Sequence, residues 1–305
     1  MSHNQKSDPG GRGLSGLQIR LPSGRLADDL DIMLRRRHLL AMMGGSSAAF
    51  LAACSGGGSS SDTTTSTGST GGGSGNSGGG SSGGSSSGAC VSYSEETNGP
   101  YPADGSNNAN GAVANVLIDS GIIRSDMTTS FAGMSGTAAG VALEMTLTIV
   151  DTSNSCAALE GYAVYAWHCN AIGEYSVYDL ADQNYLRAVG ITDANGQVTF
   201  QTIYPGCYPG RWPHIHFEVY ESESAATHYS NRVLCSQIAM PTSESSYVYS
   251  VRTDYGNSST NFANIPSIYS DNVFGDNSDD EIEAQTMNLT GDDTNGYEGT
   301  VTIGL

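Results

Sequence analysis

The residues best placed to do chemistry are His214 and His216. They lie in the run His214-Ile215-His216-Phe217-Glu218-Val219-Tyr220, rich in β-branched and aromatic residues. On a strand, residues two apart point to one face, so the two imidazoles project together while Ile215, Phe217 and Val219 point the other way. Paired imidazoles on one strand face are a frequent metal-ligand arrangement; the competing reading is two hydrogen-bonded surface histidines. Two aromatic segments precede them. One runs from Tyr204 to Pro213 and carries Tyr208 and Arg211, and the other runs from Trp167 to Ser176 and carries Tyr175. The chain holds 16 Tyr, so by residue type alone Tyr175 and Tyr208 read as core packing.

Such side chains need rigid elements beneath them, and the strand signals from residue 90 onward are strong. Leu143, Met145, Leu147 and Ile149 alternate with Glu144, Thr146 and Thr148, the period of a half-buried strand. Residues 162–168, 214–220, 233–240, 247–251 and 299–304 read as further strands. Residues 185–192 and 197–203, separated by Asp193-Ala194-Asn195-Gly196, read as a hairpin. Helical periodicity of comparable strength is missing, and the acidic run 276–285 lacks the spacing of an EF-hand and reads as a solvated loop. The expected fold is all-β, an antiparallel β-sandwich with long loops.

In order along the chain, several segments resemble the intradiol ring-cleavage dioxygenases, the catechol and protocatechuate 3,4-type enzymes. Trp167-His168, then Gly173 and Tyr175-Ser176, match that family's Trp-His-x-x-x-x-Gly-x-Tyr-Ser. Pro205-Gly206-Cys207-Tyr208 matches Pro-Gly-x-Tyr, and Arg211 with His214, His216 and Phe217 matches Arg-x-x-His-x-His-Phe. Tyr185-Leu186-Arg187 and the Asp193–Ile203 stretch match the segment between them. Thr97-Asn98-Gly99-Pro100-Tyr101 resembles the family's entry segment, and Arg124-Ser125-Asp126 the one after it. The resemblance covers 90–305 and is nearest to the extracytoplasmic branch.

Carried over, it implies a non-haem Fe(III) held by Tyr175, Tyr208, His214 and His216. The residue types suit that ion: two tyrosinates and a hydroxide neutralise its three charges, whereas zinc would more often take His with Cys or carboxylate. The implied reaction opens a catechol between its hydroxylated carbons with O2, giving a cis,cis-muconate-type product. Tyr208 is implied as a displaceable ligand and base, Arg211 as the group that stabilises charge developing on the ring, and Gln237 as a hydrogen-bonding neighbour of the metal. Pro100 and Tyr101 are implied at the substrate. His168 reads as a structural hydrogen-bonding residue and not as a ligand. Tyr185 stands where the family has Phe, and Cys207 occupies a variable position beside a ligand. Six cysteines, with Cys54 set apart, suggest two disulfides among Cys90, Cys156, Cys169 and Cys235, of unspecified pairing, with Cys207 free.

Charge divides the 305 residues sharply. Seven of the 12 basic residues lie at or before Arg37, while residues 90–305 hold five Arg, no Lys and 26 acidic residues. So acidic a body argues against nucleic acid and against direct contact with an anionic membrane. Arg35-Arg36-Arg37-His38-Leu39-Leu40, a short apolar stretch and Leu51-Ala52-Ala53-Cys54 read as a twin-arginine lipoprotein signal, with Cys54 lipidated. Residues 55–88, nearly all Gly, Ser and Thr, read as a tether spanning roughly 30–35 Å as a flexible coil. The expected location is the bacterial cell envelope, with membrane contact only through the lipid and with a small aromatic diol and O2 as partners. The alternative function is a non-catalytic transthyretin-like β-sandwich binding module, since fold does not fix function.

Overall fold

The computed structural model describes residues 91–305. The signal, Cys54, the Gly/Ser segment and Cys90 fall outside them. Eleven strands occur among the described residues: β1 (Asp104–Ala109), β2 (Ala112–Asn115), β3 (Ala142–Asp151), β4 (Ala157–Ala158), β5 (Ala163–Trp167), β6 (Arg187–Ile191), β7 (Gln197–Ile203), β8 (His214–Tyr220), β9 (Arg232–Ala239), β10 (Asn288–Asp292) and β11 (Gly296–Gly304). They form a small β1-β2 ribbon and two larger sheets.

In the first large sheet β3 is the spine, with β11 parallel on one side and β7 antiparallel on the other. The alternation in β3 does what its period predicts: Leu143, Met145, Leu147 and Ile149 are fully buried, and Glu144 is exposed. The second sheet runs β6-β5-β8-β9, all antiparallel. Its inner face sends Val164, Ala166, Ile215, Phe217 and Val219 into one core with the β3, β7 and β11 side chains. Its outer face is buried as well. Tyr165, Trp167 and Tyr220 pack there with Ala103, Val116, Leu117, Ile122 and Phe131 from the chain that precedes β3.

Four expectations need correction. Asp193–Gly196 does form a tight turn, with Gly196 N–H donating to Asp193 O at 2.8 Å and Asp193 N–H to Gln197 O at 2.9 Å. The strands it joins do not make a hairpin, because β6 pairs with β5 and β7 with β3, in different sheets. A turn signal fixes the reversal and not the ladder. Val198 and Phe200 fill the space opposite Gly190, so the strands face each other through side chains.

Residues 247–251 are not a strand. They end α1 (Thr242–Val251), in which Ser245, Val248 and Tyr249 are buried at the three- and four-residue spacing of a helix face. Burial outweighed the β-propensity of Tyr and Val. A second short helix, α2 (Ser258–Ala263), follows. The acidic run contains α3 (Asp279–Gln285). Ser278 and Glu281 make a capping box, and three carboxylates occupy the first turn, where the helix dipole favours negative charge.

The fourth correction concerns the cysteines. Cys156 is disulfide-bonded, but Cys169, Cys207 and Cys235 are buried free thiols, so a second bridge among the four named cysteines does not form. Their strand and loop positions deep in the core leave no surface loops there to staple.

Candidate metal centre

His214 and His216 open β8 and point to the outer face of the second sheet. Their Nε2 atoms stand 3.1 Å apart, and Tyr208 Oη lies 3.1 Å from His214 Nε2. Each histidine is 2% exposed. His214 Nδ1 sits 2.5 Å from Trp212 O, which can only accept, so Nδ1 carries the proton and Nε2 a lone pair. That is the usual way a metal-binding imidazole is oriented. His216 is held by stacking, its ring 4.9 Å from that of Trp167 at 4°. Burial, joined by the Arg211 charge, pulls His214 down to about 3, and burial with the neighbouring His214 pulls His216 well below its usual value. Both rings are therefore neutral, as ligands must be.

Two loops bring in the tyrosines. Tyr175 lies between β5 and β6, its N–H donating to the Asp179 carboxylate at 2.8 Å. Tyr208 lies between β7 and β8. There α2 pins the loop: Ser258 Oγ accepts from Cys207 N–H at 3.0 Å, and Asn261 donates to Cys207 O at 2.8 Å. The loops meet at Gly206 N–H to Asn170 O, 3.1 Å. Gly173 explains the glycine two residues before Tyr175. Its φ is +85°, and a Cβ there would stand 3.0 Å from Tyr208 Cβ. The Tyr175 ring lies 5.9 Å from Tyr208 and 6.3 Å from His216. Burial, then the nearby Tyr208, pushes the Tyr175 phenol well up, and its Oη has no hydrogen-bond partner.

This is a donor set that suits a cation. Two facing imidazole nitrogens, one with its lone pair fixed inward, sit beside a phenol oxygen and an unpartnered buried hydroxyl. A buried polar atom without a partner is costly, and a bound cation would satisfy Tyr175 Oη and both imidazoles at once. Two phenol oxygens among the donors, ionised by a bound cation, would suit a hard, oxidised metal.

Arg211 is not a surface residue. Its Nε donates to Asp271 Oδ2 at 3.0 Å and a terminal nitrogen donates to Gln237 Oε1 at 2.7 Å, all within the interior. Gln237 is His216's register partner on β9, and its amide donates to Thr97 O at 2.8 Å. Asp271 was missed by sequence reasoning, because it comes from an irregular segment 60 residues away with no motif around it. Against the cost of burial, Arg211 and the Trp212 N–H hold its carboxyl below the usual range. The entry segment lies across the histidines. Gly99, at φ +67°, puts its Cα where a Cβ would stand 3.1 Å from His216 Cε1. Tyr101 packs on Tyr175 with centroids 5.0 Å apart, and Pro100 anchors the segment by accepting from Asn107 at 2.6 Å. His168 bonds Cys169 O and Thr202 Oγ1 at 2.8 and 2.7 Å and stands outside the donor set.

No protein-family model matches the sequence, and no curated protein matches it either. Solved structures do. An intradiol ring-cleavage dioxygenase from Tetranychus urticae aligns with a TM-score of 0.50 and 24% identity, over 70% of this chain and 94% of that one. The dioxygenase domain of a dioxygenase–carbohydrate-binding protein fusion from Streptomyces sp. SirexAA-E aligns at 0.43 and 21%, over 70% and 98%. Catechol 1,2-dioxygenase from Pseudomonas arvilla C-1 aligns at 0.40 and 18%, over 69% and 61%. The Tetranychus alignment establishes the fold: this chain has the β-architecture of the intradiol dioxygenases.

Proposed function

We propose that this chain, with its intradiol-dioxygenase fold, is a non-haem Fe(III) enzyme. It cleaves a catechol-type ring with O2 between the two hydroxylated carbons and incorporates both oxygen atoms. The observation that carries the reading is the convergence of Tyr175, Tyr208, His214 and His216 on one buried point, with the Tyr175 hydroxyl unpartnered. Fe(III) at that point would supply Lewis acidity, lowering the phenol pKa values and drawing electron density from a bound diol.

The protein's own groups then divide the work. Tyr175 is the permanent anionic donor, enclosed by Tyr101 and His216. Tyr208, at the rim of the donor set and 9% exposed, takes a hydroxyl proton from the entering diol. Arg211 offers a cation to charge that develops on the ring. Asp271 and Gln237 hold it in place beforehand, so no reorganisation is needed during reaction. Gly99, Pro100 and Tyr101 cover the site and keep water from it.

The test is metal analysis of protein lacking residues 1–89, then O2 uptake across a panel of catechols and mass analysis of products made with labelled O2. A cis,cis-muconate-type product carrying two labelled atoms is expected. An extradiol semialdehyde, or no uptake by iron-replete protein, overturns the reading. Tyr208→Phe should retain more iron than Tyr175→Phe yet lose turnover. The same reading places the domain in the cell envelope on a lipidated Cys54, supported by the Arg36-Arg37 signal and the Gly/Ser tether. Cys54→Ala should release it from the membrane fraction, and unchanged fractionation would remove that claim.

A further inference from the structure

Arg187 opens β6 and is fully buried. All five of its N–H groups are engaged. Nε donates to Ser176 Oγ at 3.0 Å. One terminal nitrogen donates to Pro102 O and Tyr165 Oη, both at 3.0 Å. The other donates to Tyr101 O at 2.9 Å and Ser176 O at 3.0 Å. Each acceptor is a neutral oxygen, and three are backbone carbonyls. Stability alone does not favour such an arrangement, because a buried charge is costly even when fully hydrogen-bonded. What the guanidinium gains is reach. Its acceptors lie on three separate stretches of chain: the entry segment at Tyr101 and Pro102, β5 at Tyr165, and the turn that carries Tyr175 at Ser176.

Backbone strain gathers at the same points. Ala103, Val177 and Leu186 have φ of 51°, 72° and 56°. They adjoin Pro102, Ser176 and Arg187, and Val177 is β-branched, for which positive φ is a genuine outlier. Strained residues persist where their surroundings over-determine them. Across the second sheet, Arg187, Trp167, His216 and Gln237 are successive register partners, so the clamp and the histidines share one row of the sheet.

We propose that Arg187 is a positioning residue whose five-donor fork locks the Tyr175 turn and the entry segment into the arrangement the metal centre needs. The use of that arrangement rests on the dioxygenase reading; the clamp itself does not. The test is hydrogen exchange on metal-free Arg187→Gln. The N–H groups of Ala103, Tyr175 and Val177 should exchange about 10- to 100-fold faster, the equivalent of losing hydrogen bonds from a charged donor. β3 and β11 should keep their protection. Unchanged exchange at those three residues, or equal acceleration in β3 and β11, overturns the proposal.

Arg187→Lys separates charge from fork. It keeps the cation but not the five donors, so the same local acceleration is expected, and in iron-loaded protein a weakened tyrosinate charge-transfer band. Restoration of wild-type exchange and colour by lysine would overturn the role of the fork. Should Arg187→Gln fail to fold, Tyr165→Phe removes one acceptor and the Tyr165–Pro102 bond. It should loosen Ala103 and leave Val177 protected, and no change at Ala103 counts against the clamp. Wild-type protein that takes up iron but oxidises no catechol would sink the dioxygenase reading and leave these exchange results standing.

Discussion

The two large sheets bury their residues differently. The β3 sheet has one dry face and one wet face: β3, β7 and β11 all alternate buried and exposed positions. The sheet carrying the candidate metal centre is dry on both faces, with β5 and β8 buried at every position. Its outer face is covered by residues between Tyr101 and Phe131 and by the two tyrosine loops, and that cover is where the candidate site lies. An antiparallel sheet with a solvated face needs only the binary pattern. A sheet that must hold neutral imidazoles, phenols and an arginine away from water needs a second layer, built here from irregular chain.

The sharpest way to break this contrast is at the site. Tyr175→Phe should abolish most iron binding and the visible colour, while the metal-free variant stays as stable as wild type or gains about 1 kcal/mol, because the removed hydroxyl has no partner. Metal analysis beside denaturant melts of apo protein would check this, and clear destabilisation of the apo variant would contradict the donor assignment. Next comes Trp167→Ala. It removes the ring between Tyr165 and His216 from a buried outer face and should cost about 3–5 kcal/mol. The corresponding change on the wet face, Thr146→Ala, deletes only the 2.8 Å hydroxyl pair with Thr199 and should cost less than about 1 kcal/mol. Similar losses from both would mean that the two outer faces are not distinct.

The smallest effect lies at the seam. Residues 123–127 bridge the sheets, Ile123 pairing with Val189 and Asp126 with Gln201. The Thr128 hydroxyl, against slight burial, holds the Asp126 carboxyl below its ordinary 3.8. A depressed carboxyl contributes stability that is present above 3.8 and lost as pH falls through its lower folded value. Acid titration of stability should therefore show a shallow extra loss below 3.8 that Asp126→Asn removes. Superimposable acid limbs for the two proteins would rule out that contribution.

The same contrast explains what could be read from the sequence. Leu143 to Ile149 announced their strand and its buried face because a wet face forces period two. Phe217 was rightly set on the face opposite His214 and His216, but neither it nor Val164 could be assigned to a particular sheet, since a run buried on both sides does not say which ladder it joins. The turn at Asp193–Gly196 was visible, and its crossing between sheets was not, because local turn chemistry is blind to the ladder. In the site, spacing alone singled out His214 and His216, while Tyr175, Tyr208 and Arg211 came only through the resemblance of short segments to the intradiol family. Asp271 and the reach of Arg187 were not, because their partners are fixed only by how distant loops fold together. Residues 247–251 were misread because Tyr and Val satisfy either a strand or the buried stripe of α1.

The place of β11 in its sheet bears on how the chain reaches this state. β11 lies between β10 and β3 and pairs in parallel with β3, Val301 opposite Leu147. The spine of the first sheet thus waits for residues made about 150 positions later, a non-local pairing that makes folding slow. Tyr175, Tyr208, His214 and His216 all leave the ribosome before that strand exists. The first sheet therefore stays incomplete until β11 has been made, and the edge of β3 that it covers is an open template for other strands until then.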